Sequence, residues 1–489
     1  MNDDIKRVTT HGLFWSFFER IGQQGIQFFI AIVLARLLLP EQFGLIAMLT
    51  IFMAVAQSFV LSGFGSALIQ KQNANHLDEC PIFSFNILVG FFVAGVLFLS
   101  APLVAAFYRI PLLAPLTQVL SLNLIINAFG FVHTTLLTKR IDFKAQMKAN
   151  VIAIVLSGSI GVIMAYQGYG VWSLVAQSIG SNLFRTALLW VVFPWRPSWI
   201  FSWVSLRSMF SFGSKLLFSG LLDTIYNNLY IVVIGKMFSA TDLGYYTRAQ
   251  QTQQLPVESL SVTVGRVTFP VFSSMQDDKV RLKRGTRKAL STLAMLNFPL
   301  MIGLAVVAKP MVLVLLTAKW LPCVPYLQLL CVVGMLYPLH SINLNLLLAQ
   351  GRSDLFFRLE LLKKLLVTMA IILTWRWGIK VMIYGQIATS LIAYYMNSYY
   401  TGKLLSYPLV EQLKDFVPIL GLASLMGCGV FLVGYIPSKS NLVLLFSQVS
   451  IGVILYVLLC SFLKISSFLE IRSMAQEKYC FLRHRGDKF

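Results

Sequence analysis

Apolar stretches of about 20 residues or more recur some fourteen times along the chain, separated by short polar breaks. Each is long enough to cross the roughly 30 Å hydrocarbon core of a bilayer as a helix, the form that satisfies every backbone hydrogen bond within one segment. The stretches run over 11–36, 43–70, 82–107, 113–138, 148–167, 171–193, 209–238, 243–275, 289–316, 323–349, 355–376, 379–401, 412–436 and 441–464. The first carries Glu19, Arg20 and several glutamines, lacks a small-residue cleavage site and is too long for a signal-peptide core, so it counts as a span. No stretch between spans is long enough for a soluble domain. Composition agrees: 57% of residues are hydrophobic, only 12% are charged and mean hydropathy is +0.74, whereas a soluble domain carries roughly 25% charged residues.

A net charge of +21 would suggest nucleic acid in a soluble protein, so the position of the charges matters. An even number of spans puts both termini on one side and alternates the connecting segments. The terminal side then holds 27 of the 40 Lys and Arg residues, the opposite side seven and the spans six. That bias predicts both termini in the cytoplasm of a multi-pass inner-membrane protein and removes the nucleic-acid reading. Six cysteines, at Cys80, Cys323, Cys331, Cys428, Cys460 and Cys480, form no C-x-x-C pair, so neither a disulfide framework nor a zinc or other metal site is expected.

A shift of 200 residues aligns Val33-Leu34-Ala35-Arg36-Leu37 with Val233-Ile234-Gly235-Lys236-Met237, and Gln42-Phe43-Gly44 with Asp242-Leu243-Gly244. In this register Gln23 meets Asp223 and Gln27 meets Asn227. The first span thereby pairs with the seventh, as two lobes of six helices in a parallel repeat require. The expected fold is all-α and membrane-embedded, with two six-helix lobes around a central cleft. The expected divisions are a first lobe over 1–193, a cytoplasmic linker over 194–208, a second lobe over 209–401, an accessory helix pair within 402–464 and a basic tail over 465–489.

Polar residues at membrane depth are costly and normally face a cavity or a partner. The first span carries Ser16, Glu19, Arg20, Gln23, Gln24 and Gln27 at spacings of three and four, one stripe of a helix. The seventh carries Lys215, Asp223, Asn227 and Asn228; the eighth carries Arg248, Gln250, Gln251, Gln253, Gln254, Glu258 and Arg266 around Pro256; the sixth adds Arg185. With Lys309, the candidates comprise six cations against the three acids Glu19, Asp223 and Glu258. Net positive charge suits an anionic ligand, and the arginine fork matches phosphate. Substrate-binding candidates are therefore Arg20, Arg248, Arg266, Arg185 and Lys215, with Gln23, Gln24 and Gln250 for sugar hydroxyls. Each cation has a competing reading as a structural ion pair or a snorkelling side chain. Glu19, Asp223 and Glu258 are candidates for H+ or Na+ coupling, while His133 and His340 fit helix contacts better than proton relays.

The chain contains no G-x-x-x-x-G-K-[ST], H-E-x-x-H, G-x-S-x-G or D-x-D sequence, and no catalytic role or cofactor is expected. The segments Leu34-Ala35-Arg36 with Phe43-Gly44, Leu243-Gly244-Tyr245-Tyr246-Thr247-Arg248-Ala249, Arg266-Val267-Thr268-Phe269-Pro270 with Gln276-Asp277-Asp278, and Lys319-Trp320-Leu321-Pro322 resemble the polysaccharide-transporter family of Wzx-type flippases, closest to its branch of colanic-acid and teichuronic-acid exporters. That resemblance implies the multidrug/oligosaccharidyl-lipid/polysaccharide (MOP) fold, similar to multidrug exporters of the MATE type, with fourteen helices. It implies flipping of polyprenyl-diphosphate-linked oligosaccharide for exopolysaccharide, O-antigen or capsule synthesis, with Arg20 and Arg248 on the helices that engage the diphosphate in related flippases. Expected partners are that lipid-linked oligosaccharide, membrane lipids, and a polysaccharide polymerase with its chain-length regulator. Two other readings compete: a cation-coupled multidrug exporter, and a membrane-embedded glycosyltransferase or ligase component.

Overall fold

A computed structural model describes residues 22–61, 63–71, 75–198, 203–436, 440–463, 465 and 468–469, with the side chains at 203–212, 215, 263, 266 and 267 outside that description. The described residues contain no strand. In chain order the helices are α1 over 22–37, α2 (Pro40–Leu61), α3 (Phe64–Gln70), α4 (His76–Tyr108), α5 (Leu113–Lys139), α6 (Phe143–Tyr166), α7 (Val171–Val192), α8 (Trp203–Met237), α9 (Ala240–Ser274), α10 (Lys279–Leu315), α11 (Cys323–Ala349), α12 (Ser353–Thr374), α13 (Ile379–Leu405), α14 (Leu409–Val433) and α15 (Asn441–Phe462).

Where they are described, the apolar stretches of the sequence fall on these helices, with 43–70 divided into α2 and α3; residues 11–21 of the first stretch lie outside the described residues. The division lies at Gly63, whose φ of +67° is open to glycine and strained for other residues; a Cβ there would also stand 2.5 Å from the Gly213 carbonyl oxygen of α8. Hydropathy alone is blind to such a break, since the residues on both sides are apolar. Among the described residues, nine helical segments are long and apolar enough to cross a membrane: α2 with α3, α4, α5, α6, the Leu216–Met237 part of α8, α10, α11, α14 and α15. The other long helices, α7, α9, α12 and α13, carry polar or charged residues such as Arg185, Arg248, Lys363 and Gln386. Leu99 and Leu103 on α4 and Phe462 on α15 are 78%, 71% and 84% exposed, as side chains that face lipid are.

The chain divides into two compact units, Met1–Gly244 and Tyr245–Phe489. In the first, α4 packs on α5 and α6 on α7, and Phe83, Phe131, Leu136 and Leu189 join their buried faces. In the second, α10 is the hub: α11, α14 and α15 all pack against it, and Phe298, Ile342, Tyr394 and Phe416 meet in one cluster. The Tyr456 hydroxyl on α15 donates to the Met295 carbonyl on α10 at 2.9 Å, so the last helix pair is tied to the second unit by polar as well as apolar contact. At the start of α14, Asp415 accepts from Tyr407 at 2.6 Å and also from Arg287 of α10, while Lys283 pairs with Glu411 at 2.8 Å.

Within a bilayer, helices gain little from apolar burial against one another, and close packing of small residues takes over. The tightest such contact lies in the first unit. A Cβ on Gly44 of α2 would stand 1.7 Å from the Ala240 carbonyl oxygen, and one on Gly244 of α9 would stand 2.0 Å from the Pro40 carbonyl oxygen. Pro40 and Ala240, like Gly44 and Gly244, are 200 residues apart. The contact is reciprocal.

Candidate functional site

In the first unit a cavity of about 370 Å³ lies between α2, α3, α5 and α7. From α5 it is lined by Asn127, Phe131, Thr134 and Thr138, at spacings of four, three and four, which is one face of a helix; Thr135 stands beside them. Gln57 and Leu61 come from α2, Ser66 and Ile69 from α3, and Arg185 from α7. Beyond the break at Gly63, α3 forms part of the wall.

One end of the cavity is a polar chain. Arg185 Nη2 donates to Asn127 Oδ1 at 3.0 Å, and Asn127 Nδ2 donates to Gln57 Oε1 at 3.2 Å. The guanidinium charge thus orients two amides in series, and the cavity lining contains no carboxylate among the described residues. The other end is a wall of threonines. Thr134, Thr135 and Thr138 donate their hydroxyl hydrogens to the carbonyls of Gly130, Phe131 and Thr134, at 3.1, 2.9 and 2.9 Å. Asn127 and Thr138 are eleven residues apart, so the two ends lie about 16 Å apart along α5.

Arg248 occupies a different setting in the second unit. It is 8% exposed, with its guanidinium carbon 5.2 Å from the centre of the Trp320 ring, and Tyr245 packs edge-on against the same indole at 6.1 Å. Trp320 is fully buried at the end of a 3-10 turn, Ala318–Trp320, preceded by Thr317 at φ +89°. A β-branched residue in that region is strained, and the strain is held by the surrounding packing. The turn therefore places the indole over the guanidinium, a cation–π contact in a desolvated setting. Burial also lowers the pKa of the neighbouring Lys319 ammonium, on the connecting turn, below its ordinary value.

The other residues singled out in the sequence are dispersed. Glu19 and Arg20 lie outside the described residues, and Lys215 and Arg266 sit on α8 and α9 with side chains outside the description. Gln23 and Gln24 are half-buried on α1 and Gln250 is half-buried on α9, while Asp223, Glu258 and Lys309 are exposed. His133 packs among Trp190, Phe193 and Trp195, and His340 bonds Ser390 and Asn397, so both histidines make helix contacts. Among the substrate-binding candidates with described side chains, Arg185 lines the first-unit cavity. Asn127, Gln57 and the threonine wall are not singled out by the sequence, although Asn127, Thr134 and Thr138 stand on one helical face with Phe131 between them. Trp320 had entered only as part of a family signature.

A sequence profile of the polysaccharide biosynthesis protein family matches residues 33–325. The chain belongs to that family. Among its relatives it is 31% identical to the teichuronic acid biosynthesis protein TuaB of Bacillus subtilis over 62% of this chain and 63% of that one. It is 28% identical to the lipopolysaccharide biosynthesis protein WzxC of Escherichia coli K12 over 76% and 75% of the two chains, and 28% identical to the succinoglycan biosynthesis transport protein ExoT of Rhizobium meliloti over 75% and 74%. The alignment with TuaB spans less than two thirds of that relative. Among solved structures, the lipid II flippase MurJ in an inward closed conformation superposes with a TM-score of 0.75 at 14% identity, covering 93% of this chain and 98% of MurJ. An inward-facing MATE transporter of the MOP superfamily gives 0.63 at 12% identity over 78% and 95%. The fold is therefore the all-helical MOP fold. The chain is a multi-pass membrane protein of the polysaccharide biosynthesis protein family.

Proposed function

We propose that the protein flips polyprenyl-diphosphate-linked oligosaccharide units across the bacterial inner membrane by alternating access, supplying exopolysaccharide, O-antigen or capsule synthesis. The observation that carries this reading is the first-unit cavity: its one charged lining residue among those described is Arg185, and the rest of its polar lining consists of amides and hydroxyls. A cation and a carbohydrate-compatible wall suit an anionic, hydroxyl-rich headgroup whose lipid tail stays in the bilayer. The relatives' roles in teichuronic acid, lipopolysaccharide and succinoglycan synthesis support the same substrate class.

In this reading fourteen spans form two six-helix lobes with α14 and α15 as an accessory pair, and both termini lie in the cytoplasm. Arg20 and Arg248 attract the diphosphate, with Arg266, Arg185 and Lys215 as way stations for it and Gln23, Gln24 and Gln250 at the sugars. Proton or sodium coupling runs through Glu19, Asp223 or Glu258, and the product passes to a polymerase and chain-length regulator. The protein performs no catalysis. The likeness to MATE transporters keeps a cation-coupled multidrug exporter as the competing reading. An organic cation would meet like charge at Arg185, which favours the flippase.

The deciding experiment measures lipid-linked oligosaccharide at the cytoplasmic leaflet of a deletion strain. The wild-type gene is expected to lower that pool. If the pool stays unchanged while export of an organic cation rises, the multidrug reading replaces this one.

A further inference from the structure

The hydrogen bonds around the first-unit cavity leave its two ends with opposite demands. At the Arg185 end the surplus is in donors. Arg185 Nε is buried without a hydrogen-bond partner among the described residues, and Asn127 has committed its Oδ1 to Arg185 and its Nδ2 to Gln57, which leaves the Gln57 amide nitrogen as the outer end of the chain. At the threonine end the surplus is in acceptors. Each of the three hydroxyls has given its hydrogen to a carbonyl four residues back, so what faces the cavity is oxygen lone pairs. Thr138 Oγ1 already accepts from Gln146 Nε2 at 3.0 Å, in keeping with that role.

We propose that this cavity is a subsite for a sugar phosphate, with the phosphate at Arg185 and Gln57 and the sugar hydroxyls along Thr134, Thr135 and Thr138. The proposal rests on the flippase reading and adds to it a place and a direction for the headgroup. A bare phosphate satisfies only the donor end, because an acceptor-lined wall repels its remaining oxygens. A neutral sugar satisfies only the wall and leaves the guanidinium without its anion. An organic cation is opposed by the charge at one end and finds no anion at the other. The separation of about 16 Å along α5 gives room for both parts of the group.

The test uses the full chain in lipid nanodiscs with glucose 1-phosphate, inorganic phosphate, methyl glucoside and tetraphenylphosphonium as probes. Glucose 1-phosphate is expected to bind most tightly of the four. Arg185→Gln should weaken it about tenfold or more, the usual scale for a lost hydrogen bond to a charged group. The double variant Thr134→Val, Thr135→Val is nearly isosteric and keeps the helix; it should bring glucose 1-phosphate down to the affinity of inorganic phosphate while leaving phosphate binding in place. Citronellyl diphosphate glucose should bind at least as tightly as glucose 1-phosphate, and weaker binding would overturn a lipid-linked source. Equal wild-type affinity for phosphate and glucose 1-phosphate, unchanged binding in Arg185→Gln at an unchanged melting temperature, or preference for tetraphenylphosphonium would each overturn the subsite. The cellular pool measurement separates the two levels: a wild-type gene that leaves lipid-linked sugar unchanged defeats the flippase reading, whereas failure of the binding tests beside a lowered pool defeats the subsite alone.

Discussion

An alanine in place of Gly44 would carry its methyl carbon to 1.7 Å from the carbonyl oxygen of Ala240. Ordinary contact between those atoms is above 3 Å, and the obstacle is backbone, so no side-chain rotation relieves it. The helices α2 and α9 must move apart by more than 1 Å, breaking the opposite contact of Gly244 with the Pro40 carbonyl as they do so. Overpacking of this kind costs about 1–3 kcal/mol, and this site belongs at the upper end. The better helix propensity of alanine returns at most about 1 kcal/mol, for a net loss of about 2 kcal/mol. Gly244→Ala should cost a similar amount, since its Cβ would meet the Pro40 oxygen at 2.0 Å. The double variant should cost much less than twice that, because one displacement admits both methyl groups. The assay is thermal unfolding of the purified protein in a fixed detergent. Each single variant is expected to lower Tm by about 2–4 °C, the pair by little more, and Gly95→Ala, where nothing lies within 4 Å, not at all. Additive losses in the double variant, or neutral single variants, would refute the reciprocal contact as the source of the effect.

The other predictions address the second unit and the cavity. Trp320→Ala should lower Tm well beyond Trp320→Phe, since the first removes both a fully buried ring and the cation–π partner of Arg248, at about 3–5 kcal/mol for a large aromatic, while the second keeps a ring face. Asp415→Asn should destabilise by about 1–3 kcal/mol, because the Asp415 carboxylate is 8% exposed and takes hydrogen bonds from both Arg287 and Tyr407; unfolding in denaturant with unchanged slope would measure it. Burial and the bond to Asp415 raise the Tyr407 phenol far above its ordinary value, so the folded state holds that proton more tightly than the unfolded chain. Stability is then intact below about pH 10 and falls as pH rises beyond the ordinary phenol range; Tyr407→Phe should remove part of that alkaline loss in a melting series from pH 7 to pH 11. Asn127→Asp should place a carboxylate against Arg185 and weaken binding of glucose 1-phosphate more than Asn127→Ser does, read by titration in nanodiscs.

The existence and order of the helices were legible in the sequence because lipid imposes a single rule, an uninterrupted run of apolar residues long enough to cross; several helices start earlier than that run, by ten residues at Lys279 and six at His76 and Trp203, where polar or charged residues stand before it. The rule says nothing about how two such helices meet. Gly44 and Gly244 were visible as a repeat, but their crossing on the carbonyls of Ala240 and Pro40 depends on three-dimensional packing. The α2–α3 break is not legible from hydropathy because it rests on one φ angle at Gly63, and the Ser62-Gly63 pair is too short a polar interruption to divide the apolar run. At the site, ionisable residues drew attention because charge is conspicuous at membrane depth. Arg185 was found that way. Its partners Asn127, Gln57 and the threonines were not, since neutral polar residues in a span are commonly satisfied by their own helix, as the hydroxyls of Thr134, Thr135 and Thr138 in fact are. Burial made Arg248 and Trp320 neighbours across more than seventy residues of sequence, a pairing no local spacing announces.

The seven-residue helix α3 is joined to α2 through the left-handed glycine at 63, and its far end is held by Lys139, whose ammonium donates to the carbonyls of Leu68 and Lys71 at 3.1 and 2.6 Å. One wall of the cavity is therefore a short cassette with a glycine joint at one end and a clasp at the other, while the charged end sits on α5 and α7. In the proposed subsite, capacity and affinity are then carried by separate parts of the chain. Exchange of 64–70 between relatives that handle glycans of different bulk would then alter the size of sugar accepted without disturbing the anion contacts, which makes this segment the natural target for re-engineering the protein toward a foreign polysaccharide.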